Sequence, residues 1–361
     1  MYGATYSVLV FFQHCRGVCH RRVFHMLLIA LAAAALVGVS LYELFDDDED
    51  SDARQESQPE PDDASEIVGT SLNEIIFGGP SAQSIDGQGG NDTIEGRGGD
   101  DTIVTAAGDD VIRGDDGNDS VEAFGGNDLI QGNDGDDTLR AGTGDDTVQG
   151  GLGDDSIGGW RGADDLDGGF GDDEIFGGDD DDTLTGGQGA DMLFGQAGDD
   201  FVRDNQGADF LSGGDGNDTL DAMDGATDAP DTLFGGLGDD RLRGDAGDTL
   251  NGDEGFDVFE VIVDPAATEP VVITDLFGTR PEGVGIFPEN GRVIFSNPDG
   301  NFLSADALSG PNGINFFEQG DGTMVLVNNQ PVVFLQDTTL SRVLSSDIWI
   351  ANFRLDELEP L

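Results

Sequence analysis

Aspartate residues recur every nine positions through the middle of this chain, each two residues before a large aliphatic residue. Carboxylates can ligate cations or form the acid–base pair of a glycoside hydrolase. Because every repeat carries an equivalent carboxylate, no pair is singled out for catalysis, and the repetition favours cation binding. Oxygen donors held in flexible loops suit calcium better than magnesium, which requires a tighter octahedral shell. The candidate calcium ligands are Asp92, Asp101, Asp110, Asp119, Asp128, Asp137, Asp146, Asp155, Asp164, Asp173, Asp182, Asp191, Asp200, Asp209, Asp218, Asp240 and Asp257.

The aliphatic residues that follow these aspartates keep the nine-residue period over 17 consecutive positions. Such a period is typical of a solenoid, in which each repeat buries its apolar residue against its neighbours in the stack. The alternative, a disordered acidic tract, places no constraint on where aliphatic residues fall. The series comprises Ile76, Ile85, Ile94, Ile103, Ile112, Val121, Ile130, Leu139, Val148, Ile157, Leu166, Ile175, Leu184, Leu193, Val202, Leu211 and Leu220, and it resumes at Leu233, Leu242, Leu250 and Phe259.

The residues between successive aliphatics have the composition of tight turns. Two well-formed copies run from Gly150 to Ile157 and from Gly168 to Ile175. In each copy we expect a three-residue strand centred on the inward-pointing aliphatic, preceded by a six-residue turn whose glycines adopt positive φ. These turns direct backbone carbonyls and one Asp carboxylate into the space between stacked loops, where a set of hard oxygen atoms favours a calcium ion.

The repeat G-G-x-G-x-D-x-U-x, in which U is a large aliphatic residue, resembles that of the RTX (repeats-in-toxin, haemolysin-type calcium-binding) family over about half of the chain. The copies Gly186–Leu193, Gly213–Leu220 and Gly235–Leu242 fit the pattern equally well. The resemblance implies an all-β fold, a right-handed parallel β-roll with two repeats per turn, in which loops 18 residues apart share a calcium ion. Under that pairing, Asp92 would lie with Asp110 on one edge, and Asp101 with Asp119 on the opposite edge.

Several substitutions depart from the repeat without changing its length, among them those at residues 74, 83 and 180. Glu74 and Gln83 occupy the Asp position in the first two turns. This predicts a metal-free N-terminal cap, which solenoids require. Asp180 replaces a turn glycine, and we expect it to adopt the left-handed conformation, which Asp tolerates.

Two irregularities change the repeat length. The spacing of the aliphatic series lengthens to 13 residues before Leu233 and shortens to 8 before Leu250. The aspartates in these two loops are Asp231 and Asp248. Calcium sites that involve them are therefore the least supported by the pattern.

The formal net charge is -60, from 75 acidic and 15 basic side chains. Such a chain repels nucleic acid, because phosphate binding needs clustered basic residues. In a metal-free roll, each edge would be a ladder of mutually repelling carboxylates, and the core would hold only one aliphatic residue per repeat. We therefore expect calcium binding and folding to be one event, with the repeats disordered without calcium.

The only histidines are His14, His20 and His25, and the only cysteines are Cys15 and Cys19. The body of the protein thus lacks the side chains for His-based triads, zinc sites and cysteine nucleophiles. The spacing of the two cysteines matches no zinc module. The zinc-binding histidines or Ser/His pair of the family's proteases and lipases are absent, so we expect no enzymatic activity.

Composition divides the chain into four segments. A basic and then apolar N-terminal segment is followed by an acidic, proline-containing linker, the repeats, and a C-terminal segment in which strand-like runs alternate with turn signals. The predicted segments are residues 1–45, the N-terminal basic segment and helix; 46–66, the linker; 67–260, the β-roll; and 261–361, a small β-rich domain.

An apolar run extends from Met26 to Tyr42, after several arginines and before the acids at 46–50. It is about as short as a membrane-spanning helix can be, and its flanking charges favour an inside-to-outside orientation. The alternatives are a cleaved signal peptide that uses the alanines at 32–35, and a true start at Met26. In each case we expect the acidic part to be secreted or held at the cell surface.

These features predict a non-enzymatic, extracytoplasmic calcium-binding protein. One alternative is an adhesion or matrix protein whose C-terminal domain binds a cell-surface partner while the roll acts as a spacer. Another is an accessory module of a secreted hydrolase. Phe176 and Phe194 are 18 residues apart, as are Met192 and Phe210, so we expect an apolar stripe that docks the C-terminal domain, a second chain or another partner.

Overall fold

A computed structural model describes the chain in eleven ranges, all within the unit Arg54–Leu361. The predicted apolar helix at 26–42 and most of the acidic linker lie outside these ranges. Within the described part of the chain, no helix has the length and apolar character needed to cross a membrane. The described residues are 55–56, 65–204, 206–223, 229–263, 269–275, 292–296, 314–319, 322–327, 330–336, 349–350 and 353–354.

The described residues form strands and no helices, and the strands belong to two fifteen-stranded sheets, between which they alternate from β1 to β25. The first sheet contains, in spatial order, β1 Gln55–Glu56, β3 Glu74–Phe77, β5 Thr93–Gly98, β7 Val111–Asp116, β9 Leu129–Asp134, β11 Thr147–Leu152, β13 Asp165–Phe170, β15 Thr183–Gln188, β17 Phe201–Arg203, β19 Thr219–Ala222, β21 Arg241–Gly244, β23 Val258–Ile262, β25 Arg292–Ser296, β29 Trp349–Ile350 and β30 Phe353–Arg354. The second contains β2 Glu66–Val68, β4 Ser84–Asp86, β6 Thr102–Val104, β8 Ser120–Gly125, β10 Thr138–Thr143, β12 Ser156–Arg161, β14 Glu174–Asp179, β16 Met192–Ala197, β18 Phe210–Asp215, β20 Thr232–Leu237, β22 Thr249–Glu254, β24 Val271–Asp275, β28 Gln330–Gln336, β27 Gly322–Val327 and β26 Ile314–Gln319.

Through the repeats, each strand pairs in parallel with the strand two repeats away. Val148 in β11, for example, lies between Ile130 in β9 and Leu166 in β13. Successive repeats therefore belong to opposite sheets, and one turn of the solenoid contains two repeats. The all-β parallel solenoid expected from the period is confirmed.

The periodic aliphatic residues form the core between the two sheets. Every member of the series from Ile76 to Phe259 is at most 1% exposed, and all belong to one apolar cluster. Each repeat contributes so little apolar area that only stacking on both neighbours removes it from water.

The strands are longer than the sequence analysis predicted. The expectation was three residues, whereas β5, β7 and most later strands have six. In β7 the extra residues are those that begin the next turn, and Asp115 is in register with Asn133 of β9. The first half of each turn is therefore still extended enough to pair with its copy in the neighbouring turn.

The irregular spacings do not disturb the register of the core. Across the long loop, Leu211 pairs with Leu233, and across the shortened loop Leu233 pairs with Leu250. The insertion and the deletion are absorbed in the loops, because a shift of the strand itself by one residue would turn its aliphatic residue outward.

The described C-terminal strands extend both sheets beyond the repeats. Strand β25 pairs in parallel with β23, and β24 pairs with β22 and then with β28. The last three strands of the second sheet, β28, β27 and β26, are antiparallel. Their buried residues, including Val293 and Val333, join the apolar cluster of the repeats. The predicted boundary at residue 261 falls inside β23.

The turns adopt positive φ at the second and third glycine positions of the repeat, and Gly171 illustrates the third. Gly171 has φ of 125°, and a Cβ there would overlap the carbonyl oxygen of Gly153 and lie 2.5 Å from its carbon. Asp180 stands at the equivalent position with φ of 83°, which confirms that Asp takes the place of glycine there. Glycine adopts this conformation without steric cost, and Asp is among the few other residues that tolerate it.

We predict that Gly171→Ala destabilises the calcium-loaded roll by at least about 1–2 kcal/mol, because of its backbone conformation and the clash. The matched control is Gly158→Ala within β12, where a Cβ would approach only the flexible side chain of Trp160, at 3.1 Å. Urea unfolding of the full chain in saturating calcium measures both changes. Equal midpoints for the two variants would contradict the assignment of these turns.

Candidate metal centre

The aspartates of the repeat form two continuous ladders, one along each edge where the chain passes between the sheets. The backbone N–H of Asp137 donates to Asp155 Oδ1 at 2.8 Å, and the N–H of Asp155 donates to Asp173 Oδ1 at 2.8 Å. The first predicted pairs follow the same rule, with 2.7 Å from Asp92 N to Asp110 Oδ1 and 2.7 Å from Asp101 N to Asp119 Oδ1. The structure thus brings together the carboxylates that the sequence analysis paired.

The second carboxylate oxygen of these residues is buried without a hydrogen-bond partner. A buried carboxylate oxygen in this situation is costly unless a cation or a proton compensates it. Asp257 is also buried but is not part of this set. The set comprises the Oδ2 atoms of Asp92, Asp101, Asp110, Asp119, Asp128, Asp137, Asp146, Asp155, Asp164, Asp173, Asp182, Asp191, Asp200, Asp209, Asp218 and Asp240.

Beside nine of these oxygens, a backbone carbonyl from the next turn converges on the space at the first glycine of the repeat, namely at Asp101, Asp119, Asp137, Asp155, Asp164, Asp173, Asp182, Asp200 and Asp240. A methyl group at Gly150 would overlap Asp155 Oδ2 and approach the carbonyl oxygen of Gly168 to 2.6 Å. Gly132 is surrounded in the same way by Asp137 and, at 2.7 Å, by the carbonyl oxygen of Gly150. At these two turns, the first glycine of the repeat is therefore favoured for space rather than for φ. Carboxylate and carbonyl oxygens from two stacked loops are donors of the kind that calcium prefers.

Burial of the ladder changes its protonation. Burial raises the pKa of Asp155 to about 7, against the opposing effect of the N–H of Asp137 and with a further increase from neighbouring carboxylates. The pKa of Asp137 and that of Asp173 are raised to about 7 by the same causes. In the metal-free fold, these carboxyl groups are therefore partly protonated near neutral pH.

In the first two repeats, the side chain at the Asp position accepts a hydrogen bond from its own loop, so that no cation is needed. Glu74 Oε2 accepts a hydrogen bond from the N–H of Thr70 at 2.6 Å, and Gln83 Oε1 accepts one from the N–H of Gly79 at 2.8 Å. These side chains are one methylene longer than Asp and reach their own turn. This geometry agrees with a metal-free cap.

In the two irregular loops, the hydrogen bonds of the aspartate carboxylates differ from those in the regular repeats. Asp231 and Asp248 are buried and continue one ladder, with 3.0 Å from Asp231 N to Asp248 Oδ1. Asp248 Oδ2, however, accepts a hydrogen bond from the N–H of Asp245 at 2.7 Å. The shortened loop thus supplies the partner that a cation would supply elsewhere.

Along one edge, side chains replace the first glycine in three successive turns. These residues are Thr105, Ala123 and Ala141, and the hydroxyl of Thr105 donates to the carbonyl oxygen of Ala123 at 2.9 Å. The aspartates of these three turns have buried Oδ2 atoms like the others. A cation there would have less room than beside a glycine.

Sequence reasoning missed Asp204, which also stands where the repeat has its first glycine. It is 1% exposed, and one carboxylate oxygen of each of Asp191, Asp204 and Asp209 lies within 4.8 Å of the others. The available signal was the replacement of glycine by an acid at this position.

Comparison with known families is consistent with this geometry. A family model described as the RTX calcium-binding nonapeptide repeat matches the chain over residues 68–103, 95–130, 104–139, 122–157, 131–166, 159–193, 194–228 and 225–259. The matched stretches are continuous from residue 68 to residue 259, which is more than half of the 361 residues. No curated protein matches the chain.

We predict that acidification partly replaces calcium. Folded-state pKa values near 7 lie above the ordinary value of 3.8, so protonation favours the metal-free fold at low pH, and this contribution is lost as pH rises through about 7. In excess chelator, far-ultraviolet circular dichroism should show more strand at about pH 5.5 than at about pH 8. In calcium, the midpoint should move to higher calcium concentration as pH falls, because calcium must displace protons. Strand content that is independent of pH would contradict the burial of these carboxylates.

Proposed function

This chain belongs to the RTX calcium-binding nonapeptide repeat family, and we propose that it is a non-enzymatic, extracytoplasmic calcium-binding protein whose repeats fold as they bind calcium. The observation that carries the proposal is the row of buried Oδ2 atoms without a partner, nine of which lie beside a carbonyl oxygen of the next turn. We assign the ligand role to the seventeen aspartates predicted from the repeat, a set that runs from Asp92 to Asp257 and excludes Asp231 and Asp248.

Coupled folding follows from the balance of charge and core. The formal charge of -60 opposes compaction, and the ladders bring carboxylates of successive turns together. Against this, each repeat buries about one aliphatic side chain, while its glycines lose much backbone entropy on folding. Calcium would neutralise the carboxylates and supply the missing partner of each Oδ2. Binding free energy then becomes folding free energy.

The proposed location follows from the affinity of such sites. Extracellular calcium modules bind in the range of about 10⁻⁴–10⁻³ M, far above the free calcium of the cytosol. The repeats would thus leave the cell unfolded and fold outside it. The apolar run at 26–42 would act as the anchor or the export signal. We also propose that the roll is right-handed, since parallel strands of one sheet are almost always joined in that sense.

We predict that chelation of calcium unfolds the repeats cooperatively and that magnesium does not restore them, because magnesium retains its water and demands a smaller shell. Calcium titration of the full chain, followed by circular dichroism and hydrodynamic radius, measures this change. Unchanged strand content and radius in excess chelator would contradict coupled folding.

The matched variants for this titration are Asp155→Asn and Asp154→Asn, which remove one charge from neighbouring residues. Asp155 is buried with a free Oδ2, whereas Asp154 is exposed and its Oδ1 accepts the N–H of Asp172 at 2.9 Å. We expect Asp155→Asn to raise the calcium midpoint several-fold and Asp154→Asn to leave it nearly unchanged. Equal shifts would contradict the ligand assignment.

A second candidate function is adhesion through the outer face of the second sheet. The rings of Phe176, Phe194, Phe210 and Phe234 form a continuous row, with centroid separations of 5.1, 5.5 and 5.5 Å. The predicted stripe of Phe176, Phe194 and Phe210 is therefore present, and Phe234 extends it.

A depression of about 590 Å³ adjoins this row and is lined by Phe176, Trp160 and Arg140, among others. Its floor includes Gly158, which leaves a gap in the row of outward side chains, and the Trp160 ring is 60% exposed. A row of aromatic rings beside an arginine suits a partner that is partly apolar and partly polar, such as a cell-surface or matrix component.

We predict that replacing Phe176, Phe194 and Phe210 with serine leaves calcium-induced strand content intact but abolishes binding of the calcium-loaded chain to a cell-surface glycan panel. The control replaces Phe170 and Phe201, exposed aromatics of the first sheet, with serine. Retained glycan binding in the triple variant, or equal loss in the control, would contradict this role. A change in oligomer size alone would assign the face to a second chain.

A further inference from the structure

Asp204 breaks the repeat at the position whose glycine is required for space. It follows β17 directly, and β17 has three residues where its neighbour β15 has six. The next loop on the same edge is the long one, so that Asp209 N reaches Asp231 Oδ1, at 2.9 Å, across 22 residues rather than 18. Asp204 therefore stands where the regular part of this ladder ends.

Backbone groups hold the Asp204 carboxylate in place. Its Oδ2 accepts the N–H of Gly187 at 2.8 Å, and its Oδ1 accepts the N–H of Gln206 at 2.9 Å. An ionised carboxylate offers about four lone-pair sites, and an oxygen that accepts a hydrogen bond can also ligate a cation.

The Asp204 carboxylate occupies the place of a backbone carbonyl. Beside Gly168, a methyl group would meet Asp173 Oδ2 and, at 2.8 Å, the carbonyl oxygen of Gly186. Beside Gly186, one turn later, it would meet Asp204 Oδ2 and, at 2.6 Å, Asp191 Oδ2. The same cradle is therefore built from two carboxylates instead of one carboxylate and one carbonyl.

Asp209 brings a third carboxylate to this cradle. One carboxylate oxygen from each of Asp191, Asp204 and Asp209 lies within 4.8 Å of the other two, and all three residues are at most 3% exposed. The Oδ2 atoms of Asp191 and Asp209 are buried without hydrogen-bond partners. Within the described residues, this is the one group of three acidic side chains that converges in this way.

We propose that Asp191, Asp204 and Asp209 form a calcium site that is distinct from the repeating ones, binds more tightly than they do and is filled first. The proposal rests on the proposed function and adds to it a ligand, Asp204, that the repeat pattern does not supply. A larger charge on the ligand set is one of the properties that raise calcium affinity. A calcium ion here would tie together the two loops that precede the long loop, so the tightest site lies where the regular stack is interrupted.

The test is calcium binding by the full chain, measured by competition with a chromophoric chelator at less than one calcium per chain. The variants are Asp204→Asn, which keeps the shape and removes the charge, and Asp204→Gly, which restores the glycine of the repeat and should fold. The control is Asp199→Asn, an exposed acid whose Oδ1 accepts the N–H of Asn217 at 2.8 Å.

We expect the first calcium bound by the unaltered chain to be lost or weakened about tenfold or more in both Asp204 variants and unchanged in Asp199→Asn. A tight first calcium that survives in Asp204→Gly, or that disappears equally in Asp199→Asn, overturns the proposal. Calcium binding with one uniform affinity in the unaltered chain overturns this inference alone. No calcium binding at any site overturns the proposed function as well.

Discussion

The structure depends on one constraint: in sixteen repeats, from Asp92 to Asp240, a buried aspartate has one oxygen that finds an N–H donor and one that has no hydrogen-bond partner. The ladder from Asp137 to Asp155 and Asp173 satisfies Oδ1 at every step and leaves Oδ2 facing the carbonyl of the next turn. A buried negative oxygen beside a carbonyl is repelled by it and lacks water. This is relieved either by a proton on Oδ2, which can be donated to the carbonyl oxygen, or by a cation that both oxygens ligate. With its carboxylates ionised and no cation bound, the fold is therefore incomplete.

The requirements on glycine follow from this constraint and from the close stacking of the turns. At Gly150 glycine is favoured because it has no Cβ, since oxygen atoms from two loops converge where a Cβ would lie. At Gly171 it is backbone conformation, with φ of 125°. Asp180 meets the second requirement, whereas Asp204 replaces a first-position glycine by placing its own carboxylate in the cradle. Substitution of the first glycine of a repeat therefore affects the space beside the carboxylate, whereas substitution of the third glycine affects the backbone conformation.

In the first two repeats and in the shortened loop, hydrogen bonds from backbone N–H groups satisfy the side-chain oxygen without calcium. Glu74 and Gln83 satisfy N–H groups of their own turns, and Asp248 Oδ2 accepts the N–H of Asp245. Beyond the repeats, β24 buries two apolar residues, Val271 and Ile273, and β28 buries three, Val332, Val333 and Leu335. The described C-terminal strands therefore bury more apolar surface per residue and rely less on ions than the repeats do.

The nine-residue period of the sequence determined the solenoid and its buried aliphatic series, because each repeat can bury its apolar residue only against its neighbours, and the resemblance to the RTX repeat supplied two repeats per turn and the pairing of the aspartates. The sequence pattern underestimated the strand length, since three extended residues define the core position but six find partners in the neighbouring turn. It also did not identify Asp204 as a candidate ligand or Phe234 as a member of the aromatic row. These depend on which atoms meet between turns: Asp204 joins Asp191 from the preceding turn, and Phe234 contacts Phe210 across an irregular loop. Such contacts form between residues far apart in the chain, and only the tertiary structure brings them together.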